Sequence, residues 1–209
     1  MIVSGGWYCE CSAWKLMFRK IVFSVLVLAA FIRPTLAVDA SDFTAPIARY
    51  LKGDPHQRRP QLIRDETLTR VAMERAQDMA RRGYFNHVNP DGIGPNYLLK
   101  QAGYPLPEWW SSSRSLNTVE SICAGYPTPE LAWQSWMHSS PHRTHLLGLH
   151  SFYAAETRYG VGFAYNPNSR LKYYYVVITA PPRSAATAST LGRQHPTALF
   201  TQNVVWNVW

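Results

Sequence analysis

The chain has 209 residues, 46% of them hydrophobic and 13% aromatic, and a formal net charge of +8. This composition can supply a core, so it excludes a chain that is disordered throughout, and the length favours a single domain with one or two flexible ends. The basic residues are scattered, with Arg58-Arg59 and Arg81-Arg82 the only pairs in the body of the chain. A solvated basic surface is therefore favoured over a nucleic-acid groove, and no nucleic-acid partner is expected.

The beginning of the chain has the pattern of a signal peptide. Basic residues precede an apolar run at residues 21–32, which is too short to span a bilayer comfortably. Thr35-Leu36-Ala37 then resembles a signal-peptidase site. We expect residues 1–37 to be removed, with Met17 a more ordinary start than Met1, and the protein to be secreted or periplasmic. An uncleaved N-terminal anchor is the alternative.

Cleavage would leave one cysteine. Cys9 and Cys11 would be lost with the leader, and Cys123 would remain. No intramolecular disulfide could then form, so stability must come from the core. Cys123 stands between Ile122 and Ala124, which favours a buried small hydrophobe over a nucleophile.

Two helices are predicted in the first part of the domain. Apolar residues recur every four positions in residues 41–51, and a longer stripe runs through residues 65–82, where even Arg75 shares the apolar face. Asp65 can cap the second helix, and Gly83 suits the left-handed position after its end. That helix should place the following loop, which contains His87.

Two more helix starts follow a loop that contains Trp109-Trp110, a pair expected to pack over the edge of the core or to line a groove. Thr128-Pro129-Glu130 is a helix start, and we expect that helix to bury Trp133 and Trp136. Ser140-Pro141 begins another helix. Because Pro141 interrupts the chain between His138 and His142, these two histidines cannot form the continuous zinc-protease helix that their spacing would otherwise suggest.

The last regular elements predicted are two β-rich runs at residues 159–165 and 172–179, joined by a turn as a hairpin. From Pro181 onward the composition is that of a tail. Residues 204–209, with the sequence V-V-W-N-V-W, are unusually apolar. They could form an extra strand on the sheet or a partner-binding segment.

Taken together, these fragments resemble a bacterial domain of the CAP superfamily, also called SCP-like, which includes cysteine-rich secretory proteins, antigen 5 and pathogenesis-related proteins. The resemblance is carried in the same order by residues 62–92, 119–130, 136–147 and 159–165. It implies a domain over residues 43–181, with residues 182–209 as a C-terminal tail. It also implies an α+β fold, a three-layer α-β-α sandwich, and secretion.

The resemblance further implies a cavity that holds two histidines and two acids. His87 and His142 match the family histidines, and Glu120 matches one glutamate. Val119 and Ser121 replace the neighbours of that glutamate in the family motif, the second acid has no clear match, and the family's cysteine pairs are missing. The other histidines, His145, His150 and His195, are assigned to the core or the surface.

The three matched residues suggest two chemistries. Two imidazoles and one carboxylate, His87, Glu120 and His142, could bind a divalent metal ion such as zinc with an open water position. They could also form a hydrogen-bonded cluster without metal.

Two functions follow. The favoured one is an exported module, without enzymatic activity, that binds lipid, cell-wall polymer or protein. The alternative is a metal-assisted hydrolase that uses a cavity water as nucleophile. No serine or cysteine lies in a recognisable nucleophile motif, and Ser121 is only a sequence neighbour of Glu120.

Overall fold

The computed structural model describes residues 38–183, in which helices and strands are interleaved along the chain. The helices are α1 (Ser41–Gly53), α2 (Glu66–Arg82), α3 (Pro95–Gln101), a 3-10 helix (Glu108–Ser111), α4 (Pro129–His138), α5 (Ser140–Leu146) and α6 (Ser151–Ala154). The strands are β1 (Ile63–Arg64), β2 (Glu120–Ala124), β3 (Arg158–Tyr165) and β4 (Tyr173–Ala180). The predicted leader, and the tail beyond residue 183, lie outside the described residues.

The four strands form one mixed sheet in the order β1-β3-β4-β2. β3 and β4 are the predicted hairpin, antiparallel along their whole length, and β1 joins β3 in parallel. β2 runs antiparallel to β4 and, within the described residues, has no strand on its other side. It is therefore an edge strand, and its free edge becomes important below.

Helices cover both faces of this sheet, which confirms the predicted α+β fold and its three layers. Side chains of α2 and α3 meet one face, and side chains of α1, α4 and α5 meet the other. Alternate residues of each strand point to opposite faces. In β4, for example, Val176 belongs to the α2 side of the core and Val177 to the α1 side.

α2 lies unusually close to β3 because two glycines of that strand face it. A Cβ atom at Gly160 would overlap the backbone at Leu68 and Thr69, and a Cβ atom at Gly162 would overlap the backbone at Ala72. The sequence Y-G-V-G-F in β3 thus lets the helix backbone rest directly on the strand. This contact fixes the position of α2 on the sheet.

Local capping signals predicted the helix ends correctly. The Asp65 carboxylate accepts hydrogen bonds from the N–H groups of Thr67 and Leu68, and Gly83 adopts the left-handed conformation at φ 69°. The Thr128 hydroxyl accepts from the Leu131 N–H at the start of α4. The interruption at Pro141 is also confirmed, because α4 ends at His138 and α5 begins at Ser140.

The two tryptophans of α4 are buried as predicted. Trp133 is 8% exposed and Trp136 is 1% exposed, and the Trp136 indole N–H donates to the Ile122 carbonyl at 3.0 Å. Trp110 is buried and stacks on Phe152, so the predicted loop pair packs over the core through a 3-10 helix. Within residues 38–183, no helix is both long and apolar enough to cross a bilayer.

Candidate functional site

A buried ion pair joins α2 to β2. The Arg75 Nε–H donates to the Glu120 Oε2 at 2.8 Å, and Arg75 Nη2 donates to Oε1 at 3.1 Å, so the contact is bidentate. The two side chains are 2% and 0% exposed. Bidentate arginine–carboxylate pairs fix both partners in position and orientation.

The same guanidinium holds the loop that follows α2. Its Nη2 donates to the carbonyls of Asn86 and His87 at 2.9 and 3.0 Å. Its Nη1 donates to the Tyr84 hydroxyl at 2.7 Å, and that hydroxyl donates in turn to Asp78 at 2.7 Å. Arg75 therefore fixes the backbone from which the His87 side chain projects.

Glu120 orients the His87 ring. The ring Nδ1 lies 2.9 Å from Glu120 Oε1. Burial alone would raise the pKa of Glu120, but Arg75 and His87 outweigh it and hold that pKa below its usual value. Because an ionised carboxylate can only accept, His87 Nδ1 carries the hydrogen. The other ring nitrogen, Nε2, has no partner in the described part of the chain.

His142 reaches the same region from the start of α5. Its Nδ1 lies 2.7 Å from the Ser139 hydroxyl. Burial, with a smaller effect from His87, lowers the pKa of His142 to about 4, so the ring is neutral at neutral pH. Ser139 occupies the N-cap position of α5 but uses its hydroxyl for this ring rather than for capping.

A cavity of about 320 Å³ lies between these elements. Its walls are the edge of β2 at Ile122, Cys123 and Ala124, the loop at residues 85–87, and the junction of α4 with α5. Phe85, Trp136 and Pro141 add apolar surface, while the polar side chains that line it are Asn86, His87, Ser135, His138, Ser139, Ser140 and His142. Apolar walls with a few polar groups are typical of a ligand pocket.

The structure brings the three predicted residues together unequally. His87 and His142 line the cavity, whereas Glu120 does not and contacts His87 from behind. Among the described residues no carboxylate lines the cavity, so the second acid implied by the resemblance has no counterpart there. His138, which the sequence analysis set aside, also lies on the wall.

Glu120 is engaged by protein side chains rather than free to bind a metal ion. Both Glu120 oxygens are engaged by Arg75 and His87, and no group of three or more His, Cys, Asp or Glu residues within positions 38–183 is arranged to hold a metal ion. His87 and His142 both line the cavity, and among the described residues neither Nε2 atom has a hydrogen-bond partner, so these two atoms are the candidate donors to a cation. Glu120 would support such a site by fixing the ring of His87, a common arrangement around metal-binding histidines.

Cys123 behaves as the sequence predicted. Its side chain is free and buried, and burial raises the pKa of its thiol to about 12. A thiol that stays protonated at neutral pH is a poor nucleophile. Cys123 therefore serves as apolar wall.

A second buried Arg–Glu–His network lies behind α5. The His145 ring bridges the Ser121 hydroxyl at Nδ1 and the Thr179 hydroxyl at Nε2, each at 2.7 Å. Glu156 contacts the Thr179 hydroxyl and lies 3.3 Å from His145 Nε2. Arg59 lies 3.9 Å from Glu156. All these side chains are buried, and none of them lines the cavity.

Sequence reasoning missed three of the buried charges. Arg75 was visible as a charged residue in an apolar helical stripe, and that anomaly was a signal that it needed a buried partner. Arg59 lies in a basic connector, and Glu156 follows two alanines. Neither sequence setting predicts a buried side chain. His145, assigned from the sequence to the core or the surface, lies in the core.

Comparisons with known proteins agree with this architecture. The sequence profile of a family described as "CAP: Cysteine-rich secretory protein family" matches residues 48–179. The protein YkwD of Bacillus subtilis (strain 168), described as uncharacterized, is 33% identical over 100 residues. That match covers 47% of this chain and 33% of the relative, so the chain matches only a third of the relative's length.

A solved structure shows the same fold. An extracellular protein containing a SCP domain from Bacillus anthracis str. Ames superposes with a TM-score of 0.51 at 21% identity, over 71% of this chain and 45% of that one. An outer surface protein from Borrelia burgdorferi has a TM-score of 0.47 at 17% identity, over 66% of this chain and 89% of that one.

Proposed function

This chain belongs to the CAP family of cysteine-rich secretory proteins, and from that premise we propose that it is an extracytoplasmic binding module whose ligand enters the cavity beside β2. The observation that carries the proposal is the cavity itself. Its walls are largely apolar, and two imidazoles, His87 and His142, are held on it by Glu120 and Ser139. Such a site suits a ligand with an apolar body and a polar group.

An extracytoplasmic location is supported by two independent observations. Residues 1–37 have the charge pattern, apolar run and cleavage signal of a leader. The Bacillus anthracis structure that shares the fold is described as an extracellular protein. N-terminal sequencing of the exported form should give Val38 as the first residue.

The ligand classes that remain are lipid, cell-wall polymer and protein. A divalent cation is a further component of the proposal, held by Nε2 of His87 and Nε2 of His142. When bound, it would supply a positive charge and exchangeable water positions for a polar ligand group. The chain's own contribution is to keep both rings oriented, through Glu120 behind one and Ser139 beside the other.

A hydrolase is the second candidate, and one contact favours it. The Ser139 hydroxyl lies on the cavity wall, 2.7 Å from Nδ1 of a histidine that is neutral at neutral pH. A neutral imidazole can accept the hydroxyl proton, which is the first requirement for a serine nucleophile. A metal held by the two imidazoles could instead activate water. Ester hydrolysis that disappears in Ser139→Ala would favour the serine route, and hydrolysis that requires added metal would favour the other.

The binding proposal is tested by blocking the cavity. Ser135 lines it from α4, whereas Gln134 on the same helix is exposed and does not. Exported protein should carry a co-purifying ligand, detected by native mass spectrometry, that Ser135→Trp loses and the control Gln134→Trp keeps. Equal ligand retention in both variants, or no ligand in wild type from any extract, would contradict the proposal.

A further inference from the structure

The free edge of β2 presents unpaired main-chain groups to the cavity. In the β2–β4 ladder, the Thr179 N–H donates to the Val119 carbonyl and the Gly125 N–H donates to the Tyr173 carbonyl. In an antiparallel ladder, opposite residues alternate between pairs that exchange main-chain hydrogen bonds and pairs that do not. Since Val119 and Gly125 bond to β4, the main-chain groups of Ser121 and Cys123 also bond to β4. The N–H and C=O groups of Glu120, Ile122 and Ala124 therefore point away from the sheet.

Most of this edge is covered by side chains. The Glu120 N–H donates to the Asn117 side-chain oxygen at 2.9 Å, and the Asn117 side-chain nitrogen donates to the Glu120 carbonyl at 3.1 Å. The Trp136 indole N–H takes the Ile122 carbonyl at 3.0 Å. The Ala124 N–H lies beside the sulfur of Cys123. Among the described residues, the Ile122 N–H and the Ala124 C=O are left without a partner.

These two groups limit what can fill the cavity well. Ile122 and Ala124 are 5% and 3% exposed, and a buried main-chain group without a hydrogen bond is destabilising. A hydrocarbon chain would leave both groups unpaired. An extended polypeptide would supply a carbonyl for one and an N–H for the other, as in strand addition to a sheet edge.

The chain contains a segment of suitable chemistry that the structure does not describe. Residues 204–209, here the C-terminal segment, have the sequence V-V-W-N-V-W. Valine and tryptophan favour strands, and in an extended conformation Val204, Trp206 and Val208 would share one wholly apolar face. No Asp, Glu, Lys or Arg occurs in this segment, so an apolar wall would not have to desolvate a charged side chain.

The connection is long enough. Twenty residues separate Arg183, the last described residue, from Val204. Fully extended, they span roughly 70 Å. A domain of this size has a radius of gyration of about 15 Å, so the C-terminal segment can reach any part of its surface. The other sheet edge, β1, has only two residues, both exposed, and neither lines the cavity.

We propose that the C-terminal segment of this chain hydrogen-bonds to the Ile122 N–H and the Ala124 C=O of β2 and places apolar side chains in the cavity, so that it occupies the binding site until an external ligand displaces it. The cavity has room for about ten water molecules at bulk density, enough for one large side chain and its main chain rather than for the whole segment. This inference rests on the proposed function, because it assigns an internal competitor to the same site.

Amide hydrogen exchange at Ile122 tests the proposal directly. We compare the exported chain with a chain truncated after Asn203, which keeps the whole sheet and both sides of the core. Truncation should speed exchange of the Ile122 amide about tenfold or more. The amides of Ser121 and Cys123, bonded to β4, should not change and serve as internal controls. An unchanged Ile122 rate overturns the proposal.

Point variants and an added peptide sharpen the same measurement. Trp206→Ser should release the Ile122 amide, whereas Asn207→Ser, on the opposite face of the segment, should not. A synthetic V-V-W-N-V-W peptide should restore protection to the truncated chain, and its backbone N-methylated form should not. Protection in the intact chain that falls on dilution would assign the segment to a second copy and overturn the proposal.

The two proposals can fail separately. If truncation leaves Ile122 exchange unchanged while Ser135→Trp still abolishes ligand retention, only the C-terminal segment is excluded. If truncation exposes Ile122 but no ligand binds either form of the chain, the inference holds and the proposed external ligand fails. If the segment is the competitor, the truncated chain should retain more ligand than the intact chain.

Discussion

Two buried Arg–Glu–His networks, built from the same residue types, differ in what they expose. In one, Arg75 donates to the carbonyl of His87, and Glu120 holds that ring. In the other, Arg59 donates to the carbonyl of His145, and Glu156 lies beside that ring. His87 lines the cavity, whereas both nitrogens of His145 are taken by the hydroxyls of Ser121 and Thr179.

The distance between arginine and glutamate separates the two networks electrostatically. Arg75 contacts Glu120 through two short bonds, but Arg59 stays 3.9 Å from Glu156. The pKa of Glu120 is lowered, whereas burial raises the pKa of Glu156 well above its usual value, with Arg59 opposing it only in part. One Glu156 oxygen has no hydrogen-bond partner in the described structure. The first network thus presents an oriented imidazole to the cavity, and the second anchors α5 with little net charge on its acid.

The largest expected difference is in the free energy of unfolding lost when each arginine is replaced. Arg75→Met would leave an ionised, fully buried Glu120 with only His87 beside it, and should lower the free energy of unfolding by about 3–5 kcal/mol. Arg59→Met should cost less. Arg59 donates to three carbonyls, those of His145, Leu146 and Tyr153, and each of them also accepts a second hydrogen bond. The second donors are the Gly148 N–H, the Gln57 side-chain amide and the Glu156 N–H, in the same order. Urea unfolding of both variants measures this, and an equal or reversed order would contradict the comparison.

The next largest difference is expected between the stability losses of the two glutamate variants. Glu120→Gln removes the charge that Arg75 and His87 need, and we expect a loss of about 1.5–3 kcal/mol, typical of a hydrogen bond to a charged group. Glu156→Gln replaces an acid whose raised pKa already favours the neutral form, so it should change stability by less than about 1 kcal/mol.

Chemical denaturation at pH 7 measures both glutamate variants. A Glu156→Gln variant as unstable as Glu120→Gln would mean that Glu156 is ionised in the folded protein.

Local and distant contacts also differ in whether they could be predicted from the sequence. Asp65, Gly83 and Thr128 act within a few residues of themselves, so the helix ends could be predicted. Residues 120–124, by contrast, are Glu-Ser-Ile-Cys-Ala, without clear alternation, and they become a strand through pairing with a distant β4. That strand was not predicted.

The site was predicted in part for the same reason. His87 and His142 follow local helix signals and family motifs, and both line the cavity. The position of Glu120 behind His87 depends on Arg75, 45 residues away in sequence. Burial of Glu156 depends on Thr179 and Arg59, and nothing next to it in the sequence indicates either partner.

The smallest effect concerns the pH dependence that His142 gives to the cavity. Its folded-state pKa of about 4 lies below the ordinary value of 6.5, so the unfolded chain takes up a proton first as pH falls. Stability from this group is therefore complete above pH 6.5 and is lost as pH falls toward about 4. His142→Asn should flatten the dependence of the melting temperature on pH between pH 6.5 and 4. His87→Gln should raise the pKa of His142, followed by NMR titration, by less than about one unit, because burial is the larger cause and His87 the smaller. A shift of about two units or more in His87→Gln would mean that repulsion between the two rings, not burial, keeps the cavity neutral.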